Sequence, residues 1–205
     1  MEFETKVQFL TQPEHNRRTI VISDIHGHRA WLEKLLKKVD FSEKDILIIV
    51  GDMIEKGPES LNTIRYIMEL CEKYTVYPMM GNVDLWRIQM LLTEDGSLDQ
   101  ELYETNERMR QYWKATFFQD LCREAGVSVK TPEEIPAARE AVLAKFQKEL
   151  TFMKELPTIL VTPAFTFVHG GLVHEKLEDN FHLPPFQLLK NDNFINQGKH
   201  FDKYV

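Results

Sequence analysis

The chain has 205 residues, of which 43% are hydrophobic and 28% are charged, a balance typical of one globular domain. Its formal net charge of −7 disfavours binding to nucleic acid or to an anionic membrane surface. No stretch approaches the roughly 18 to 20 apolar residues of a membrane span, and residues 1–10 contain acids instead of an apolar signal core. The two cysteines, Cys71 and Cys122, do not make a disulfide framework, so we expect free thiols in a cytoplasmic protein.

Short apolar runs alternate with amphipathic stretches in the first half of the chain. The apolar, β-rich runs predict strands at residues 19–23, 45–50 and 75–80. The stretches with helical periodicity predict helices at residues 30–39, 59–73 and 84–92. This alternation predicts an α/β fold in which helices cover a mostly parallel sheet.

Residues 98–156 are charge-rich, and their apolar residues recur with helical periodicity. They predict two long amphipathic helices, broken around Gly126 to Pro136. We interpret residues 93–157 as a helical insertion or cap within a single domain of residues 1–205.

The last part of the chain returns to strand patterns and then loses them. Strands are predicted at Thr158 to Thr162 and Ala164 to Val168, and a loop-like segment from Leu183 to Gly198. Three tryptophans lie at helical spacing with aliphatic residues and are expected in the core: Trp31, Trp86 and Trp113.

Polar side chains follow four of the predicted strands, at the point where each strand ends. Asp24 and His26 follow the first strand, Asp52 the second, Asn82 the third and His169 the last. In open α/β sheets ligands bind at the carboxyl ends of the strands, so we expect these side chains to lie close together. Mixed nitrogen and oxygen ligands suit Mn, Fe or Zn. A carboxylate from the central cluster, Asp52, can bridge two cations about 3.5 to 4 Å apart.

Each cluster by itself also has an ordinary explanation. An Asp-x-His pair can be a helix cap followed by a surface histidine, and Gly-Asp and Gly-Asn are common turns. A His-Gly-Gly sequence can be an ordinary loop whose histidine has no functional role. Four such clusters at strand ends, in this order, are hard to attribute to chance, so we favour a metal site.

The four clusters read Asp24-Ile25-His26-Gly27, Gly51-Asp52-Met53-Ile54-Glu55-Lys56-Gly57, Gly81-Asn82-Val83-Asp84 and His169-Gly170-Gly171. In this order they resemble the calcineurin-like metallophosphoesterases, in particular the serine/threonine phosphoprotein phosphatase branch. The resemblance covers residues 19–92 and 158–174. It implies two facing β-sheets flanked by helices, and a metal-dependent hydrolase of phosphate esters that uses two divalent ions, Mn, Fe or Zn.

The resemblance also implies a role for each matching residue. Asp24 and His26 would hold the first metal, Asp52 would bridge both metals, and Asn82 and His169 would hold the second. Among the remaining motif residues, Glu55 and Asp84 are assigned as catalytic carboxylates and Lys56 as the residue that binds the substrate phosphate.

The chain departs from the family pattern at four places in the site. Val83 stands where the family often has a histidine that protonates the leaving group. Glu55 stands where the family has the acidic partner of that histidine; it is longer by one methylene and lacks that partner. Lys56 stands where the family has an arginine, and a lysine offers a point charge instead of a bidentate fork. The fourth departure is that no late Gly-His motif occurs, so we expect a chain that stops short of its natural end. A divergent short member would instead take its sixth ligand from His174, His182 or His200.

Several functions stay open on these observations. The substrate could be a phosphoprotein, a dinucleoside polyphosphate or another small phosphoester, and the motif order favours the phosphoprotein branch. The alternative is a catalytically impaired phosphoesterase-like module that binds or regulates, which Val83 and the missing histidine favour. A metal-dependent nuclease is disfavoured by the acidic charge. The oligomeric state is not predicted.

Overall fold

The computed structural model describes residues 3–10, 17–92 and 112–191. Their strands are β1 Val7–Phe9, β2 Thr19–Ile22, β3 Ile46–Val50, β4 Thr75–Met79, β5 Ile159–Val161 and β6 Thr166–Val168. Their α-helices are α1 Arg29–Lys38, α2 Ser60–Lys73, α3 Asn82–Leu92, α4 Thr116–Ala125, α5 Ile135–Lys145, α6 Gln147–Lys154 and α7 Pro185–Leu189. Short 3₁₀ helices lie at Tyr112–Lys114, Pro132–Glu134 and Leu177–Asn180.

The first sheet is fully parallel and has the order β2-β3-β4. Ile22 pairs with Ile49, and Val50 pairs with Met79, so the three strands end near one another. Helices α1 and α2 make the crossovers between them, as the alternating sequence pattern predicts. The predicted strand–helix–strand–helix–strand order is therefore confirmed.

The second sheet has the order β1-β5-β6 and is mixed. Strand β1 pairs with β5 in parallel, while β5 and β6 pair in antiparallel fashion. The sequence pattern predicted β5 and β6 but not β1, a three-residue strand that is too short to show a period. Its place in the sheet is set by pairing with a strand about 150 residues further along.

The two sheets face each other. Ile46, Ile48 and Met79 of the parallel sheet pack with Leu160 of the mixed sheet in one apolar cluster. Alternate strand residues, such as Leu47, point to the opposite face and join the larger core beneath the helices. The predicted sandwich of β-sheets flanked by helices is confirmed.

Helices α4 to α6 form a block that packs against α2 and α3. Helix α4 ends at Gly126, whose φ of 77° is the left-handed conformation that glycine adopts at helix ends, so the predicted break is confirmed there. The second predicted helix is divided at Phe146 into α5 and α6. Pro136 is tolerated because it lies in the first turn of α5, where no backbone donor is lost. The predicted helical positions 98–111 lie outside the described residues.

An arginine of α2 joins the helical block to the core. The Arg65 guanidinium donates to both carboxylate oxygens of Glu124 on α4 at 2.8 Å and to Glu149 on α6 at 2.8 Å. The Arg65 guanidinium lies over the ring of the interhelical residue Phe146, and both Phe146 and Phe117 of α4 are fully buried. Burial of each phenyl ring stabilises the fold by roughly 1.5–3 kcal/mol. The block is therefore an integral part of the described core.

Some expectations from the sequence are corrected by the structure. Trp31 is 69% exposed and not a core residue, because Leu32 and Leu36 form the buried face of α1, and its ring stacks on His28 instead. Residues 185–189 form helix α7 instead of a loop. Buried Asn180 orders the segment before it by accepting from the backbone of Val173 and His174 and donating to the carbonyl of His174. Within the described parts of the chain, every helix is too short or too polar to cross a lipid bilayer.

Candidate metal centre

Strands β2, β3, β4 and β6 each deliver a polar side chain to one cleft. Because β2, β3 and β4 run parallel, Asp24, Asp52 and Asn82 leave the sheet at the same edge. The backbone turns sharply there: φ is 56° at Asp24, 49° at His26 and 51° at Asp52. Left-handed residues other than glycine cost about 1–3 kcal/mol each and persist mainly at functional sites.

Two glycines allow the loops after β3 and β4 to touch. A Cβ atom on Gly81 would lie 2.1 Å from the Asp52 nitrogen and 2.3 Å from its Oδ1. A Cβ atom on Gly51 would lie 2.9 Å from Nδ1 of His169. Any larger residue would push Asp52 and His169 apart, so the glycines of the motifs set the distances within the cluster.

The first group of ligands consists of Asp24, His26 and Asp52, which can together hold a metal ion. Nε2 of His26 lies 3.3 Å from Oδ1 of Asp24 and 3.6 Å from Oδ2 of Asp52. Nδ1 of His26 lies 3.1 Å from the carbonyl of Ile54. Since a carbonyl can only accept, this contact assigns the proton to Nδ1 and leaves the lone pair of Nε2 facing the carboxylates.

The second group consists of Asp52, Asn82 and His169. Nε2 of His169 lies 3.1 Å from Oδ1 of Asn82 and 3.5 Å from Oδ1 of Asp52. Nδ1 of His169 donates to the carbonyl of Val50 at 2.9 Å, so Nε2 again presents its lone pair. Three acceptor atoms thus face one another, which is the arrangement that a cation bridges. The donor set therefore fits two metal ions around the buried Asp52, with one oxygen toward each histidine.

The structure brings all five predicted ligands together. Asp52 is held in place by the Val83 N–H group, which donates to Oδ1 at 3.0 Å. The ammonium group of Lys56 lies 2.6 Å from Nε2 of His26, at the mouth of the cluster. The predicted substrate-binding lysine is therefore beside the first group of ligands.

Asp84 lies behind the cleft and not on its wall. It is fully buried, and its carboxylate accepts from the N–H groups of Met53 at 3.0 Å, Ile54 at 3.3 Å and Gly81 at 3.0 Å. Burial, and after it the charge of Asp52, raises the pKa of Asp84 to about 7. These contacts describe a residue that positions the loop of Asp52, and the predicted catalytic role stays a prediction.

Glu55 lines the cleft, but its carboxylate is already hydrogen-bonded on both oxygens. Oε1 accepts from Nε of Arg87 at 3.0 Å and from the Phe117 N–H at 3.2 Å. Oε2 accepts from the backbone N–H and the hydroxyl of Thr116 at 3.0 and 3.1 Å. Because Thr116 and Phe117 begin α4, Glu55 caps that helix and ties the helical block to the cleft.

The cleft has a volume of about 760 Å³. Beside the predicted residues, its lining includes side chains that the motifs do not contain: Trp86, Arg87, Leu189, Lys190 and Asn191. Trp86 and Arg87 could have been found from the sequence, because they follow Val83 by three and four positions on one helix and so share its face. The contribution of α7 could not, since nothing in its sequence points to the strand ends.

A two-layered β-sheet fold with Asp, His, Asp, Asn and His at its strand ends defines a metal-dependent class of phosphoesterase. The family model described as calcineurin-like phosphoesterase matches residues 17–202, and the chain belongs to this family. Divalent metal ions are the general cofactors of the family. The resemblance inferred from the motifs is thus confirmed.

Individual relatives match over shorter segments. Symmetrical bis(5'-nucleosyl)-tetraphosphatases of Buchnera aphidicola and Shewanella loihica are 45% and 46% identical over 65 and 68 residues, which are 31% and 33% of this chain and 23% and 24% of theirs. The Coxiella burnetii protein of the same name is 34% identical over 92 residues, 44% of this chain and 30% of its own. The crystal structure of a candidate diadenosine tetraphosphatase superposes with a TM-score of 0.53 and 25% identity, covering 85% of this chain and 59% of that one. These matches span 23% to 30% of the three curated relatives and 59% of that solved structure, less than two thirds in each case.

Proposed function

We propose that the protein hydrolyses phosphate esters or phosphoanhydrides with the aid of two divalent metal ions. The observation that carries this proposal is the convergence of two histidines, two carboxylates and one amide around Asp52 in one cleft. Membership of the calcineurin-like phosphoesterases supports it. Mn, Fe and Zn are the ions that suit such a mixed set of ligands.

The residues have distinct tasks in this proposal. Asp24, His26 and Asp52 would hold one ion, and Asp52, Asn82 and His169 the other. When bound, two such ions lower the pKa of a water molecule and neutralise charge on the phosphoryl oxygens. Asp52 sets the spacing of the two groups of ligands, and the carbonyl groups of Ile54 and Val50 orient the two imidazoles. Lys56 would add a positive charge beside the phosphoryl group.

The residue at position 83 favours a substrate with a good leaving group. Val83 lines the cleft and cannot donate a proton from its side chain. An alkoxide needs that proton, whereas a phosphate leaving group departs readily as an anion. The tetraphosphatase names of the relatives support the same choice. We therefore propose a phosphoanhydride of the dinucleoside polyphosphate type ahead of the phosphoprotein that the motif order favoured.

The helical block is proposed to shape the substrate side of the cleft. Its link to the cleft is the capping of α4 by Glu55. This gives the predicted insertion, residues 93–157, a role beside the site within a single domain.

The test uses purified protein loaded with Mn²⁺ and three substrates: diadenosine tetraphosphate, p-nitrophenyl phosphate and a phosphoserine peptide. We expect turnover that chelation abolishes, with the first two substrates far ahead of the peptide. An Asp52→Asn variant measures the background rate. Metal analysis of the same samples separates the proposal from the alternative of a binding module: two bound ions without turnover on any substrate would contradict the proposed hydrolysis.

A further inference from the structure

A second cationic side chain shares the cleft with Lys56. Arg87 lies on α3, one turn beyond Val83, and lines the cleft with Asp52, Asn82 and His169. Its side chain is 14% exposed, so it is held at the wall of the cleft and does not extend into solvent. Neighbouring positions on α3, such as Asp84 and Ile88, are buried, so the helix is firmly seated.

The guanidinium group of Arg87 is only partly engaged. Nε donates to Oε1 of Glu55 at 3.0 Å, and Nη1 lies 3.6 Å from the sulfur of Met90, a weak acceptor. Its Nη2 group has no hydrogen-bond partner among the described residues. A guanidinium held at one edge keeps donors available in a fixed plane, which is the form in which arginine binds phosphate oxygens.

Glu55 is suited to fix that plane. Its carboxylate is buried and receives three further donors from Thr116 and Phe117 at the start of α4. Rotation of Glu55 away from Arg87 would leave those donors unpaired, at a cost of about 1–3 kcal/mol for each buried group. The carboxylate therefore stays where it is and orients the arginine.

Lys56 cannot bind the phosphate in the way that an oriented guanidinium can. Its ammonium group lies 2.6 Å from His26, and a lysine cannot hold two phosphate oxygens in a fixed plane. We propose that Arg87 binds the non-bridging oxygens of the substrate phosphate at the metal centre, and that Glu55 is its positioning residue. This inference rests on the proposed phosphoester hydrolysis, and it adds the residue that grips the phosphate.

The test compares Arg87→Ala, Arg87→Gln and Arg87→Lys with the unmodified protein, all loaded with Mn²⁺. Calorimetry measures the affinity for inorganic phosphate, and kinetics measure KM and kcat for p-nitrophenyl phosphate. We expect the dissociation constant for phosphate and the KM to rise by about 10- to 100-fold in the Ala and Gln variants, because a charge-assisted contact is lost. Lysine should recover only part of the loss, and the metal content should not change.

Arg65→Ala is the matched control, because Arg65 also forms ion pairs with carboxylates, those of Glu124 and Glu149 in the helical block, but does not line the cleft. It should leave phosphate affinity and KM unchanged. Glu55→Gln should raise KM less than Arg87→Ala. The double variant should be no worse than Arg87→Ala, since a positioning residue acts only through its partner.

The outcomes separate this inference from the proposed function. Normal turnover with phosphate affinity unaffected in the Arg87 variants would overturn the inference and leave the function intact. Arg87-dependent phosphate binding without turnover on any ester would support the inference and contradict the function. No phosphate binding by the metal-loaded protein, or a double variant much weaker than Arg87→Ala alone, would overturn the assignment of both residues. If Arg87→Ala fails to fold, the Lys and Gln variants carry the same comparison.

Discussion

Gly51 and Gly81 touch backbone to backbone, so that a Cβ atom on Gly51 would lie 2.5 Å from the Cα atom of Gly81. This contact joins the loops that carry Asp52 and Asn82. The distance between the two groups of metal ligands therefore depends on having glycine, with no Cβ atom, at both positions.

Replacing Gly81 by alanine tests this contact. The new methyl group would meet the Asp52 backbone nitrogen at 2.1 Å, so we expect a destabilisation of more than about 2 kcal/mol and loss of metal binding. Gly126→Ala is the control, because its φ of 77° is strained for alanine but its Cβ meets nothing within 4 Å. That variant should lose only about 1 kcal/mol, measured by urea unfolding. Equal losses in the two variants would contradict the steric explanation.

Metal binding should depend on Asp52 more than on any other ligand. Its two oxygens face the two histidines, so Asp52→Asn should lower occupancy at both metal positions. His26→Ala should chiefly remove one ion, because His26 belongs to one group only. Metal content per chain, measured by mass spectrometry of the dialysed protein, checks both expectations. Full metal content in Asp52→Asn would show that this carboxylate does not bridge.

The leaving-group preference should follow the residue at position 83. General acid catalysis contributes about 10²- to 10⁴-fold, and the gain is greatest for poor leaving groups. We therefore expect Val83→His to raise the rate on a phosphoserine peptide relative to p-nitrophenyl phosphate. Val83→Leu, which keeps an apolar side chain in the cleft, is the control. Similar rates on both substrates in the unmodified protein would mean that another group supplies the proton.

Acid sensitivity should depend on an ion pair that is remote from the cleft. A hydrogen bond from Arg18 is the main cause that lowers the pKa of Asp45 from 3.8 to about 2. Because the folded state has the lower pKa, the ionised carboxylate stabilises the protein fully above pH 4 or so, and this stabilisation is lost as the pH falls toward 2. Asp45→Asn should therefore lower the urea midpoint at pH 6, and the difference from the unmodified protein should be much smaller at pH 2, where the folded-state carboxylate is about half protonated. A difference that is the same at both pH values would show that the charge of Asp45 does not matter.

Local patterns in the sequence were sufficient to predict much of the candidate site. Asp24, Asp52 and Asn82 each follow an apolar run with a glycine nearby, and parallel strands bring such ends to one edge whatever the details of packing. The helix break at Gly126 was equally local, because a glycine in the left-handed conformation ends a helix by itself. Strand β1 and helix α7 were not predicted, because three and five residues show too little periodicity.

The roles of the charged residues beside the ligands were decided by the tertiary structure. In the sequence, Glu55 and Asp84 are both acids inside a motif, and nothing distinguishes them. The fold buries Asp84 among backbone donors and sets Glu55 between Arg87 and the start of α4. Most of these hydrogen-bond partners are 31 or more positions from the carboxylate along the chain. The local sequence therefore does not show which donors each carboxylate binds.

The sequence by itself thus determined the ligand types, their order and the edge of the sheet to which they belong, because a strand and the turn after it are specified by neighbouring residues. Only the tertiary structure decided that His169 reaches the cluster from a different sheet, at 3.1 Å from Asn82, and that Arg87 turns toward Glu55. The physical reason is that both arrangements depend on how two sheets and a helical block pack together. Such packing brings into contact residues that are far apart along the chain, so no local sequence pattern predicts it.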